Sequence, residues 1–138
     1  MSLQQPTPSA GSEKKIVVVD DDVYVRQLLQ QLLEDFKASG VKLFYAQNGI
    51  AAWELIQTEK PDLILLDLML PGISGYELCR RIRSDRALAA IHIIVLTARG
   101  QSADETKGLK LGADEYVTKP FNNQHLIQLI GTALQVEV

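Results

Sequence analysis

At 138 residues the chain has room for one domain with its own core, not for two. A net charge of −3 leaves no basic footprint for direct nucleic-acid binding, and the single cysteine, Cys79, excludes an internal disulfide and a thiolate zinc site. The longest apolar runs have strand length, too short to span a membrane, and the first residues lack the basic start and apolar stretch of a signal peptide, so a cytoplasmic domain is expected.

Residues 1–13 are rich in Ser, Pro and Gln and nearly free of apolar periodicity, which predicts a disordered tail and leaves 14–138 as the domain. Ile16 to Val19 is the first expected strand. A helix follows with Val25, Leu28, Leu29, Leu32, Leu33 and Phe36 at three-and-four spacing. Asp21 or Asp22 is placed to cap it, with Gly40 past its end. Val41 to Ala46 reads as a second strand. Asn48-Gly49 opens a helix carrying Ile50, Trp53, Leu55 and Ile56 and closing before Pro61. Leu63 to Leu66 does not alternate and reads as a strand buried on both faces. Then come a helix over Ser74–Arg83, a strand over Ile91–Leu96, a helix over Asp104–Leu111, a short strand over Glu115–Thr118 and a last helix over Asn122–Leu134. This alternation predicts an α/β sandwich of three layers, a parallel sheet with helices on both faces. Right-handed crossovers leave few topologies, and the common five-strand order is 2-1-3-4-5.

Polar residues stand where the apolar runs stop. The first strand ends at Asp20-Asp21-Asp22, the third at Asp67, the fourth at Thr97 and the fifth at Lys119. In such sheets ligands bind beyond the carboxyl ends of the strands, where the strand order reverses, here between the first and third strands. Two carboxylates about 4 Å apart repel by about 4 kcal/mol at an effective dielectric near 20, so Asp20, Asp21 and Asp67 must raise a pKa, recruit a lysine or bind a cation. Oxygen ligands at a solvent-facing rim suit Mg2+, with Mn2+ as a substitute. Together these residues make a phosphoryl-transfer site with Asp67 as nucleophile, Lys119 and the metal neutralising phosphoryl oxygens, and Thr97 donating to the product.

From Lys15 to Ala133 the chain resembles the receiver domain of two-component response regulators. The resemblance rests on Val17 to Asp22, Pro61 to Gly72, Val95 to Arg99 and Gly112 to Phe121, four motifs in order at the right distances. It implies a flavodoxin-like fold and a phosphoryl group accepted on Asp67 from a sensor histidine kinase or phosphotransfer protein, controlling an output domain or partner protein. It also implies Mg2+ held by Asp21, Asp67 and the Met69 carbonyl with Asp20 acting through water, Thr97 and Tyr116 as a switch pair, Lys119 as the phosphate contact, and a cis Lys119–Pro120 bond. Arg99 and Met69 flank the phosphoryl group and are expected to slow its hydrolysis. Ser74 stands where the family often has Asp.

Plainer readings apply elsewhere. Asp22 is assigned as a helix cap, with Asp21 both ligand and cap. Trp53 and Phe36 are packing residues, and Cys79 is inert. His92 and His125 have no ligand spacing and no adjacent base. Arg80, Arg81, Arg83 and Arg86 read as a solvated helix face with salt bridges. An aspartyl phosphatase would need a second acid where Met69 stands, and a flavin carrier would need a Ser/Thr/Gly-rich loop where the three acids stand. A degenerate scaffold would lack Asp21, Asp67, Thr97 or Lys119. The expected role is thus a phosphoacceptor signalling domain, not a turnover enzyme, either a single-domain regulator or part of a longer protein. Leu96 to Arg99 and Asp114 to Tyr116 resemble receivers of winged-helix regulators that dimerise through the surface of the last strand and last two helices. The cations that pair such dimers do not follow: Glu105 replaces an expected Arg, the last helix has no Lys or Arg, and only Lys107 and Lys110 remain to meet Asp114. A monomer or weak dimer is expected.

Overall fold

The computed structural model describes residues 13–98 and 112–137. Five strands form one parallel sheet in the order β2-β1-β3-β4-β5: β1 Lys15–Val19, β2 Lys42–Ala46, β3 Leu63–Asp67, β4 His92–Ala98 and β5 Glu115–Lys119. The helices are α1 Val23–Leu32, α2 Glu34–Ala38, α3 Gly49–Glu59, α4 Gly75–Ser84 and α5 Asn123–Leu134. The strand order is the expected one. The helix expected over Asp104–Leu111 lies outside the described residues, as do Arg99, Glu105, Lys107, Lys110 and residues 1–12.

Every residue of β3 is buried, as its unbroken apolar run requires of a strand covered on both faces. One core packs Ala52 and Ile56 of α3 and Leu78, Cys79 and Ile82 of α4 against Val17, Ile64, Leu66 and Val95. The other packs Leu29 of α1, Phe36 of α2 and Leu126 and Ile130 of α5 against Ile16, Val18, Leu65 and Leu96. Fully burying one such side chain contributes about 1.5–3 kcal/mol, so the two layers hold the sheet, and the strand ends inherit its rigidity.

The first expected helix divides at Leu33, whose φ of −91° and ψ of 4° leave the helical region. The hydrogen bonds Leu33 N–H to Leu29 and Lys37 N–H to Leu33 continue across the break, so the apolar face runs on through Phe36. The cap of α1 is Asp22 alone, whose Oδ1 accepts from Tyr24 N–H at 2.9 Å. Asp21 does not cap, because one carboxylate already serves the first turn. Asn48 caps α3 and Ser74 caps α4, accepting from the N–H of Ala51 and Glu77. Gly40 follows α2 with φ 97°. Cys79 is buried and its thiol is pushed up to about 11 by burial, in keeping with an inert role. No helix among the described residues is long and apolar enough to cross a membrane.

Candidate functional site

β1 and β3 are neighbours in register, with Val19 opposite Leu66, so the residues that follow, Asp20 and Asp67, emerge side by side. One carboxylate oxygen from each of Asp20, Asp21 and Asp67 lies within 4.8 Å of the others. The three differ in surroundings. Asp20 is fully buried, Asp21 is exposed and Asp67 is 9% exposed. All four polar atoms of Asp20 are tied down. Its N–H donates to the Ala46 carbonyl, its carbonyl accepts from Arg26 Nη1 at 2.7 Å, Oδ1 accepts from Asp22 N–H at 2.9 Å and Oδ2 from Lys119 Nζ at 2.9 Å.

Lys119 ends β5 and reaches across the sheet end, 2.9 Å from Asp20 and 3.7 Å from Asp67. Asp67 Oδ1 accepts from the Met69 N–H at 3.0 Å, which turns the chain away from the strand while Met69 itself stays exposed. Burial raises the Asp67 pKa above its ordinary value; the Met69 N–H and the Lys119 charge pull it down, and Asp20 and Asp21 push it up. The site is thus a partly neutralised acid cluster with one carboxylate held inside and one facing solvent. Three oxygen donors at this spacing fit a divalent cation better than any other resident group.

Thr97 lies within β4, one residue beyond the Leu96 that pairs with Asp67, and is buried. Tyr116 pairs with Val95, so strand alternation sends Thr97 and Tyr116 to the same sheet face. The Lys119–Pro120 bond is cis, as the resemblance implies.

Residues 16–131 match the family described as the response regulator receiver domain. The chain belongs to this family. It is 42% identical over 122 residues to the phosphate regulon transcriptional regulatory protein PhoB of Pseudomonas aeruginosa, across 88% of this chain and 52% of that protein. The chain therefore spans about half the length of that curated relative. A signal receiver domain of a DNA-binding response regulator from Colwellia psychrerythraea superposes with a TM-score of 0.82 at 32% identity, covering 89% of this chain and 99% of that one. The receiver domain of a sensor histidine kinase from Pseudomonas aeruginosa, solved with a magnesium ion coordinated in its active site cleft, gives 0.78 at 26% identity over 89% of this chain and 98% of that one. The present chain is a receiver domain of two-component signalling with the flavodoxin-like α/β fold.

Sequence reasoning misread or passed over several contacts. Arg83 is not part of a solvated face. Its guanidinium donates to the carbonyls of Gly112, Ala89 and Ile91 and pairs with Asp114 at 2.7 Å, while Asp114 also accepts from Ile93 N–H. Arg80 and Arg81 do form the expected salt bridges, both with Glu77, whose carboxyl they hold down at about 2. His92 has an acidic neighbour after all, Glu115 Oε2 at 2.6 Å, because β4 and β5 bring residues distant in sequence side by side. Arg26 was unmarked, and its only sequence signal is a cation one helical turn after the Asp22 cap.

Proposed function

We propose that this receiver accepts a phosphoryl group on Asp67 from a phosphohistidine of a sensor histidine kinase or phosphotransfer protein, in the cytoplasm, and passes the change to an output domain or partner. The observation that carries this reading is the cluster itself: an ionisable Asp67 between two further acids, with Lys119 in reach of both Asp20 and Asp67. Asp21, Asp67 and the Met69 carbonyl would hold Mg2+, with Mn2+ as a substitute. When bound, the metal supplies positive charge against the phosphoryl oxygens and the acids. Both Asp20 oxygens are already engaged, which supports action through Lys119 and water rather than direct ligation.

Asp67 attacks phosphorus, the bond from phosphorus to the donor nitrogen breaks, and Lys119 moves its charge toward the transferred group. Thr97 then donates to the phosphoryl oxygens and Tyr116 turns on the same sheet face, a population shift that alters the surface beside β5 and α5. Turnover is limited to the domain's own phosphorylation and dephosphorylation. The assembly we propose is a monomer or weak dimer, because Asp114, the acid that Lys107 and Lys110 of a second copy would have to meet, is already paired with Arg83. The test is incubation with acetyl phosphate and Mg2+. Mass spectrometry should show one added phosphoryl group, absent in Asp67→Ala and absent with chelator; an adduct persisting in Asp67→Ala overturns the assignment.

A further inference from the structure

The loop from β3 to α4 carries Met69 beside Asp67, and two backbone contacts hold it. At its end, Gly75 N–H donates to the Leu68 carbonyl at 3.0 Å, and a Cβ on Gly75 would stand 2.6 Å from the Asp67 carbonyl oxygen. In its middle the loop rests on the first turn of α3. Gly49 N–H donates to the Pro71 carbonyl at 3.2 Å. A Cβ on Gly49 would lie 1.7 Å from the Ile73 carbonyl oxygen and 2.7 Å from the Ile73 Cβ. What position 49 requires is the absence of a side chain, so that backbone can lie on backbone.

We propose that Gly49 is a positioning residue for the metal and phosphoacceptor site: it lets the first turn of α3 support the β3–α4 loop at the height that places Met69 over Asp67. This rests on the reading above, in which Asp67 and the Met69 carbonyl take part in Mg2+ binding. Distance carries the argument. Cβ contacts under 3.0 Å are essentially never found, so an alanine Cβ at 49, 1.7 Å from the Ile73 carbonyl oxygen, must part α3 from Ile73 by more than about 1 Å. α3 is anchored by Ala52 and Ile56 in the core, whereas Met69, Pro71 and Gly72 of the loop are exposed. The loop therefore yields, and the 3.0 Å bond from Met69 N–H to Asp67 is the contact that lengthens. Displacing a group that orients a metal ligand lowers affinity by about 10- to 100-fold.

Gly49→Ala should be compared with Gly40→Ala. Gly40 has φ 97° and nothing within 4 Å of a built Cβ, at the amino end of β2, so alanine there strains the backbone without touching the loop. Both variants should lose thermal stability. Only Gly49→Ala should weaken Mg2+ binding by calorimetry, by about 10- to 100-fold, and speed exchange of the Met69 amide proton in metal-free protein. If Gly49→Ala does not fold, Ile50→Ala tests the same support: this side chain is 59% exposed, and its Cδ1 stands 3.4 Å from where a Cβ on Gly72 would lie. A smaller loss of Mg2+ affinity is then expected. Wild-type protein that binds no Mg2+ refutes the proposed function. Wild-type binding, with the α3 variant matching it in affinity and Met69 exchange, refutes the role of Gly49. An equal loss in Gly40→Ala refutes it too, since instability alone would then account for the effect.

Discussion

Replacing Asp67 with Asn should stabilise the metal-free protein and abolish its response to Mg2+. In the folded state Lys119 attracts the Asp67 charge at 3.7 Å by about 4 kcal/mol at an effective dielectric near 20. Asp20 and Asp21, within 4.8 Å, repel it by at least about 3.5 kcal/mol each on the same footing. Solvent around the exposed Asp21 screens part of that repulsion, so the Coulomb contributions nearly balance and burial decides the sign. Asn keeps an oxygen for the Met69 N–H and removes the buried charge. The expected gain is about 1–2 kcal/mol, or about 3–8 °C in Tm. Its pH dependence follows from the raised Asp67 pKa. Below the ordinary value of 3.8 the carboxyl is neutral in both folded and unfolded chains, and it imposes no penalty. As pH rises the unfolded chain ionises first, so the gap between wild type and Asp67→Asn opens above 3.8 and is complete above the folded value. Urea denaturation in chelator and in Mg2+ measures both effects. An Asn variant no more stable than wild type in chelator, or still stabilised by Mg2+, refutes the reasoning.

Asp21→Ala should lose more Mg2+ affinity than Lys119→Ala, which should instead slow phosphorylation at saturating metal; equal losses in a calorimetric titration contradict that division of roles. Thr97→Ala should still accept phosphate from acetyl phosphate but respond to it weakly, visible as amide shifts along β5 much smaller than in wild type. Arg83→Ala should cost about 2–4 kcal/mol in urea denaturation, because it takes the guanidinium from three carbonyls and leaves Asp114 without its cation. A loss under about 0.5 kcal/mol would restore the solvated-face reading.

The fold and most of the acid cluster were legible because both depend on local pattern. A run that does not alternate must be covered on both faces, the β-α alternation forces parallel strands, and handedness then selects the strand order that sets β1 beside β3. An acid at the end of either strand is thereby placed without any knowledge of contacts. What stayed hidden depends on chain segments far apart. Arg83 looks like one of four cations on a helix, and only packing shows that its guanidinium fits between the β4 start and the turn before β5. His92 and Glu115 are separated by 23 positions, so no spacing rule joins them. Gly49 reads as a helix opener, and its contact with Ile73 belongs to the angle at which α3 meets the β3–α4 loop. β4 extends beyond its expected end to include Thr97 and Ala98, because pairing with Thr118 and Lys119 continues after the apolar run stops.

The three acids look equivalent in the sequence and are not. Asp20 is buried with its carbonyl held by Arg26 and its oxygens held by Asp22 and Lys119, so it holds the lysine beside Asp67. Asp21, one residue on, faces solvent and is free to meet a cation arriving from water. Asp67 lies between, buried enough to raise its pKa and close to Lys119, whose charge would keep it usable as the nucleophile we propose. In the proposed reaction a cation drawn to Asp21 and Asp67 would lessen the need for Lys119 at Asp67, and a transferred phosphoryl group would restore it. The same lysine can then serve the resting cluster through Asp20 and the phosphorylated state through the new oxygens. Its place at the end of β5, three residues after Tyr116, would join the charge on Asp67 to the strand whose surface we propose to change.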